Sequence, residues 1–263
     1  MASEIERSNL RILFSSGWYW GVPLVALVAM AVLHASGENA KLFLLMNHAM
    51  TIAGDTFWSH VTILGDSVVA IMFITPFIYR RPDVVWQFIL TVFFAGLVVY
   101  LLKDPDVLRP PAVLDPDDLH IIGPALRHVS FPSGHTTTAF LLAGLFCMQR
   151  VDSRVKSLVL FLAAMAGISR IACGIHWPLD VLGGAFFGWM AAGVGVGLGR
   201  RWQVGMNLWA QRFFAVLFNF VAIWSMLYYD NGYPGTWLMQ SSITIICLAL
   251  SLPWQLKLFK VRE

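Results

Sequence analysis

The chain has 263 residues, of which 58% are hydrophobic and 13% charged, with a formal net charge of +3. A soluble domain carries about twice that charged fraction, so an ordinary water-soluble globule is excluded. No basic run stands free of an apolar stretch, which argues against nucleic-acid binding.

Long apolar stretches alternate with short charged clusters, and a membrane-crossing helix needs about 20 mostly apolar residues. Eight stretches qualify as candidates, near residues 18–35, 59–78, 84–102, 134–149, 155–173, 180–199, 212–229 and 236–254. The expected fold is an all-α integral membrane protein of about eight spans, and so many helices in so short a chain favour one bundle. The first stretch opens on Trp18, Tyr19 and Trp20. No small-x-small cleavage site follows it, so it reads as a retained span and not as a removed signal. Residues 36–58 include a mildly amphipathic piece, 41–50, suited to lying along the interface.

The second stretch carries Asp66, an acid at a costly depth. A structural bond to a polar neighbour such as His60 or Ser67 is the favoured reading, with a catalytic role as the alternative. Residues 103–133 hold Pro105, Pro110, Pro111, Pro116, Gly123, Pro124 and Pro132. Proline at that density prevents a continuous helix, so an irregular loop is expected there, with His120 and His128 facing solvent. The connections at 79–83 and 150–154 are short and make their flanking helices antiparallel neighbours. Cys147, Cys173 and Cys247 fall in or beside apolar stretches, where an odd count speaks for packing and against a disulfide framework.

Charge placement orients the bundle. With the N-terminus inside, one face receives Arg7, Arg11, Arg80, Arg81, Arg150, Arg154, Lys156, Arg200, Arg201, Arg212, Lys257, Lys260 and Arg262. The other receives Lys41, Lys103, Arg109, Arg127 and Arg170. This is the positive-inside asymmetry, and it makes both termini cytoplasmic. Tyr79, Tyr100, Trp202, Tyr228, Tyr229, Trp237 and Trp254 sit near stretch ends, as interfacial aromatics do.

Three charged elements converge on the outer face: residues 103–110, then Pro132-Ser133-Gly134-His135, then Ser169-Arg170 with His176 and Asp180. Ser133 suits an N-cap, and the helix start it opens is a ready anion site, which Gly134 leaves uncrowded. A well-capped helix with no ligand is the plain alternative. Pro178 marks the first turn of a helix that holds Asp180. A carboxylate four residues after His176 can accept its ring N–H and leave the other nitrogen nucleophilic. Alternatively, Asp180 caps its own helix and His176 is merely an interfacial polar residue. Phosphoryl transfer to His176 calls for cations and N–H donors around the nonbridging oxygens. Lys103, Arg109 and Arg170 supply charge, Ser133 and Gly134 supply N–H groups, and His135 can act as acid and base. No cofactor or metal is expected, because the histidines and Asp180 lack any local zinc-ligand spacing.

The Pro132–His135 motif, followed by Ser169-Arg170-x5-His176-x3-Asp180, resembles the type 2 phosphatidic acid phosphatase superfamily. The resemblance implies a six-helix phosphatase core, here within residues 1–211 with the motif region at 58–199. Residues 212–263 then add two transmembrane helices, read as packing or dimer contacts. It further implies a metal-free phosphohistidine mechanism on a membrane lipid: His176 is the nucleophile, Asp180 its orienter, and His135 the acid and base. Lys103, Arg109, Ser133, Gly134 and Arg170 would hold the phosphate. The family places six residues between its lysine and Arg-Pro, whereas five separate Lys103 from Arg109-Pro110. Arg127 is the substitute if Lys103 is displaced. The expected activity is lipid phosphate hydrolysis at the periplasmic face of a bacterial inner membrane. The alternatives are a lipid phosphotransferase resembling lipid A 1-diphosphate synthases and, from another class, an anion or lipid-phosphate transporter.

Overall fold

Small residues on one long helix set the architecture. A computed structural model describes residues 17–260; Arg7, Arg11 and Arg262 of the inner-face set lie outside them. In chain order the helices are α1 (Gly17–Ser36), α2 (Asn39–Met50), α3 (Asp55–Thr62), α4 (Ser67–Ile74), α5 (Phe77–Arg80) and α6 (Pro82–Leu102). They continue as α7 (Pro110–Val113), α8 (Gly134–Cys147), α9 (Ser153–Ala172), α10 (Pro178–Arg201), α11 (Leu208–Tyr228) and α12 (Trp237–Gln255).

The centre is α10, which packs most extensively against α8 and α6 and then α1. A Cβ added at Gly184 would lie 2.7 Å from the Ser133 carbonyl, and one at Gly188 would collide with the Thr137 carbonyl. Small residues four apart let helix backbones approach closely where lipid offers no hydrophobic gain for association. On the same helix Trp189 is fully buried, and its indole N–H donates to the Tyr19 carbonyl at 2.9 Å, fastening α1.

All eight apolar stretches are helical, but they are not eight equivalent spans. Among the described residues, six helices are long and apolar enough to cross a membrane: α1, α6, α9, α10, α11 and α12. The second stretch is broken, with its halves 55–65 and 67–74 bent by 62°. Asp66 makes the break, because its backbone is extended (φ −72°, ψ 134°) and its carboxylate caps α4. The fourth stretch, α8, has 14 residues, about 21 Å against a hydrocarbon core of about 30 Å. Nearly all its side chains are buried, so it is walled by protein and its length need not match the lipid. Where about eight spans were expected, the described residues hold six whole helices of spanning length, one broken pair and one short central helix.

The segment 103–133 is largely irregular, with only α7 and one 3-10 turn at Pro116–Asp118. It is fastened by α2, where the buried Asn47 amide donates to the carbonyls of His120 and Ile171 at 2.9 and 3.0 Å. His120 is itself paired with Asp55 at 2.7 Å, so it does not simply face solvent. The three cysteines are free and buried. α11 and α12 pack on each other and on α4 and α5.

Candidate active site

The loop before α10 delivers His176. Pro178 occupies the first turn of α10, and Asp180 accepts from the Trp177 backbone N–H at 2.9 Å, as a capping residue does. The same oxygen, Oδ2, lies 3.2 Å from His176 Nδ1 and accepts from the Ser130 hydroxyl at 2.5 Å. The two readings of Asp180 are thus one arrangement: capping the helix is what aims the carboxylate at the imidazole. With the Nδ1 proton facing Asp180, Nε2 accepts from Arg109 Nη1 at 3.0 Å. His176 is 2% exposed. Burial, then the Arg109, Arg170 and Lys103 charges, push its pKa well below the usual imidazole value. The ring is therefore neutral at neutral pH, with a lone pair on Nε2.

Arg109 and Lys103 are held from behind by one carbonyl. Val129 O accepts from Lys103 Nζ and from Arg109 Nη2, each at 3.1 Å, while Arg109 Nε donates to His128 O at 2.7 Å. Val129 takes φ 59°, a left-handed conformation that costs a β-branched residue roughly 1–2 kcal/mol. The segments around 107–109 and 127–130 pair through Arg109 N to Arg127 O and Ser130 N to Val107 O, both 2.9 Å. The loop thereby brings Lys103 beside Arg109 despite the short spacing. The Arg127 side chain is exposed, and this residue serves through its backbone.

The second wall is the start of α8. Ser133 is its N-cap, with Oγ 2.9 Å from Thr136 Oγ1, and Ser133 N donates to Asp180 O at 3.0 Å. That bond joins the two helix starts. Nothing lies within 4 Å of a Cβ built on Gly134, so the helix N-terminus opens onto free space. His135 follows, with the Arg170 and Arg109 cations and the His176 ring as its neighbours. Arg170, at the end of α9, is 2% exposed and donates from Nη1 to the Thr62 hydroxyl on α3. The structure thus brings Lys103, Arg109, Ser133, Gly134, His135, Arg170, His176 and Asp180 together.

Asp66 bonds to none of these side chains. Its Oδ1 accepts from Val68 N and Val69 N at 2.7 and 3.3 Å, and its Oδ2 accepts from the Tyr229 hydroxyl at 2.6 Å. The suggested partners His60 and Ser67 bond elsewhere, to Thr56 O and Thr138 Oγ1. Sequence reasoning missed Thr62, Val129, Ser130 and Tyr233, and it put Tyr229 in the headgroup belt. Tyr233 is 6% exposed, with its ring centroid 5.4 Å from Arg170 Cζ and 6.5 Å from the His135 ring. The only hint in the sequence was the polar run around 229–236 between two apolar stretches. Among the described residues, no three His, Cys, Asp or Glu side chains cluster as a metal site.

A helical bundle in a membrane with histidine, carboxylate and cations at one end defines a class, and comparison with known proteins gives it a name. The model of the PAP2 superfamily matches residues 84–203. The crystal structure of Aquifex aeolicus LpxE is similar, with a TM-score of 0.52 and 31% sequence identity; the match covers 60% of this chain and 93% of that one. The chain belongs to the PAP2 superfamily. A lipid A 1-phosphatase of Rhizobium etli is 36% identical over 110 residues, 38% of this chain and 44% of the relative. The Escherichia coli (strain K12) protein YbjG, whose name marks it as a candidate undecaprenyl-diphosphatase, is 47% identical over 60 residues, 22% of this chain and 29% of the relative. The chain thus matches less than half the length of these two curated relatives.

Proposed function

We propose that the protein is a lipid phosphatase that hydrolyses a phosphate mono- or diphosphate ester of a membrane lipid through a phosphohistidine on His176. The observation that carries this reading is the His176 geometry: Nδ1 on the Asp180 carboxylate and Nε2 facing a cluster of cations. In the first step Nε2 attacks phosphorus, the bond from phosphorus to the lipid oxygen breaks, and His135 gives that oxygen a proton. In the second step water attacks the phosphohistidine, His135 takes a proton from it, and the P–N bond breaks to release phosphate. Arg109 turns its N–H from Nε2 to the incoming phosphoryl oxygens. Lys103, Arg170 and the N–H groups opening α8 share the remaining charge. The scheme uses no metal, because the cations already neutralise the developing charge. Lipid A and undecaprenyl diphosphate are the substrates that the relatives' names favour. The positive-inside pattern supports a periplasmic site in a bacterial inner membrane.

Phosphate release by the detergent-purified protein from a panel of lipid phosphates and diphosphates, with EDTA throughout, tests the proposal. The expected result is release from one or two lipids, lost in His176→Ala. Release undiminished in His176→Ala would remove the nucleophile. Transfer that requires an added acceptor lipid would identify a phosphotransferase instead.

A further inference from the structure

The family model ends at residue 203, so α11 and α12 lie beyond it. Their connecting loop nevertheless reaches the reactive centre. It is pinned at its start by the Tyr229–Asp66 hydrogen bond and internally by Asn231, whose Oδ1 accepts from Tyr233 N and from the Thr236 hydroxyl, both at 2.9 Å. Tyr233 then inserts against Gly123, where an added Cβ would lie 2.8 Å from the ring. Its hydroxyl is buried beside the Arg170 guanidinium, which can only donate to it, and no described residue accepts the phenol's own proton. Arg170 Nε is also buried without a partner. Buried donors left unsatisfied are costly and rare, and here two of them adjoin one cationic site. Burial raises the Tyr233 pKa, so the phenol keeps its proton and remains a donor.

Resting on the phosphatase reading, we infer that the C-terminal helical pair completes the active site, with the Tyr233 hydroxyl donating to a nonbridging oxygen of the substrate phosphate held by Arg170. A nonbridging oxygen has lone pairs for both orphaned donors, and the loop's internal bonds hold the phenol in position before substrate arrives. α11 and α12 are then a means of fixing a phosphate ligand and not only packing.

Full-length Tyr233→Phe in detergent tests this, because phenylalanine keeps the ring on Arg170 and Gly123 and removes only the hydroxyl. Two quantities are read: the affinity for orthovanadate, a phosphate mimic, by thermal shift, and kcat/KM on the preferred lipid. The expected result is vanadate binding weakened about tenfold or more, as for loss of one hydrogen bond to a charged group. kcat/KM should fall in step, and the melting temperature without ligand should not drop. Unchanged vanadate affinity in Tyr233→Phe overturns the inference, even if wild-type turnover confirms a phosphatase. A wild type that binds vanadate but hydrolyses no lipid phosphate sinks the phosphatase reading alone, and the ratio of the two vanadate affinities still decides the role of Tyr233. No vanadate binding by the wild type overturns both.

Discussion

At the scale of single residues, the proposed nucleophile His176 sits among neighbours that act in opposite senses. Asp180 fixes the Nδ1 proton, while burial and the Arg109, Arg170 and Lys103 charges disfavour protonation of Nε2. The sign of the pH dependence follows. Nucleophilic His176 is lost only when pH falls through its lowered pKa, so the acidic limb of kcat/KM should lie below the ordinary imidazole value of about 6.5. Lys103→Gln removes one of the depressing charges, so that limb should move upward in pH while the rate plateau falls. A pH–rate profile of both proteins checks this, and an unmoved limb would detach Lys103 from His176. The i to i+4 relation of His176 and Asp180 was legible from spacing alone, because Pro178 announces the helix. Ser130 and Val129 were not. Their contributions, a hydroxyl on Asp180 and a shared carbonyl behind two cations, depend on how a proline-rich loop folds back.

Among the elements, the contact of α10 with α8 sets the distance between the two helix starts that build the site. Ser133 N donates to Asp180 O across that contact, so any widening would separate His135 from His176. Gly188→Ala puts a methyl group into the Thr137 carbonyl, which is backbone and cannot swing aside. Destabilisation of about 1–3 kcal/mol is expected from such overpacking, together with loss of activity. Gly197→Ala on the same helix meets nothing within 4 Å, and should be neutral or stabilising by up to about 1 kcal/mol through helix propensity. Thermal unfolding of the two variants in one detergent compares them directly. Equal melting temperatures would show that the close approach does not hold the bundle together. Apolar length located all eight helical stretches, yet it could not separate a lipid-spanning helix from α8, which protein surrounds. Nor could it show that Asp66 breaks its stretch, since a buried acid in an apolar run reads the same whether it faces a partner or starts a new helix.

For the whole molecule, the charge asymmetry and the site geometry bear on one question, which side of the membrane does the chemistry. Lys103 and Arg170 end α6 and α9, while His135 and Asp180 begin α8 and α10. Helix direction alone therefore puts the reactive groups at one level, opposite the arginine-rich turns at 80–81, 150–154 and 200–201. An arginine is harder to move across a bilayer than to leave behind, and the proposed orientation accordingly has those turns in the cytoplasm and the cluster outside. Single cysteines at Asp117 and Ser153, both exposed and on the two opposite connections, read the orientation. Because Cys147, Cys173 and Cys247 are buried, a membrane-impermeant maleimide has little native background. In intact bacterial spheroplasts, Asp117→Cys should label and Ser153→Cys should label only after lysis. The reverse pattern would put the site in the cytoplasm, where its lipid phosphate would have to come from the inner leaflet. The same experiment bears on the C-terminal pair, because the loop holding Tyr233 lies with Arg170 and must share its side. The charge pattern already put that loop on the outer side, since Arg212 and Lys257 flank the pair on the inner face, but gave no sign that the loop turns inward to the histidines.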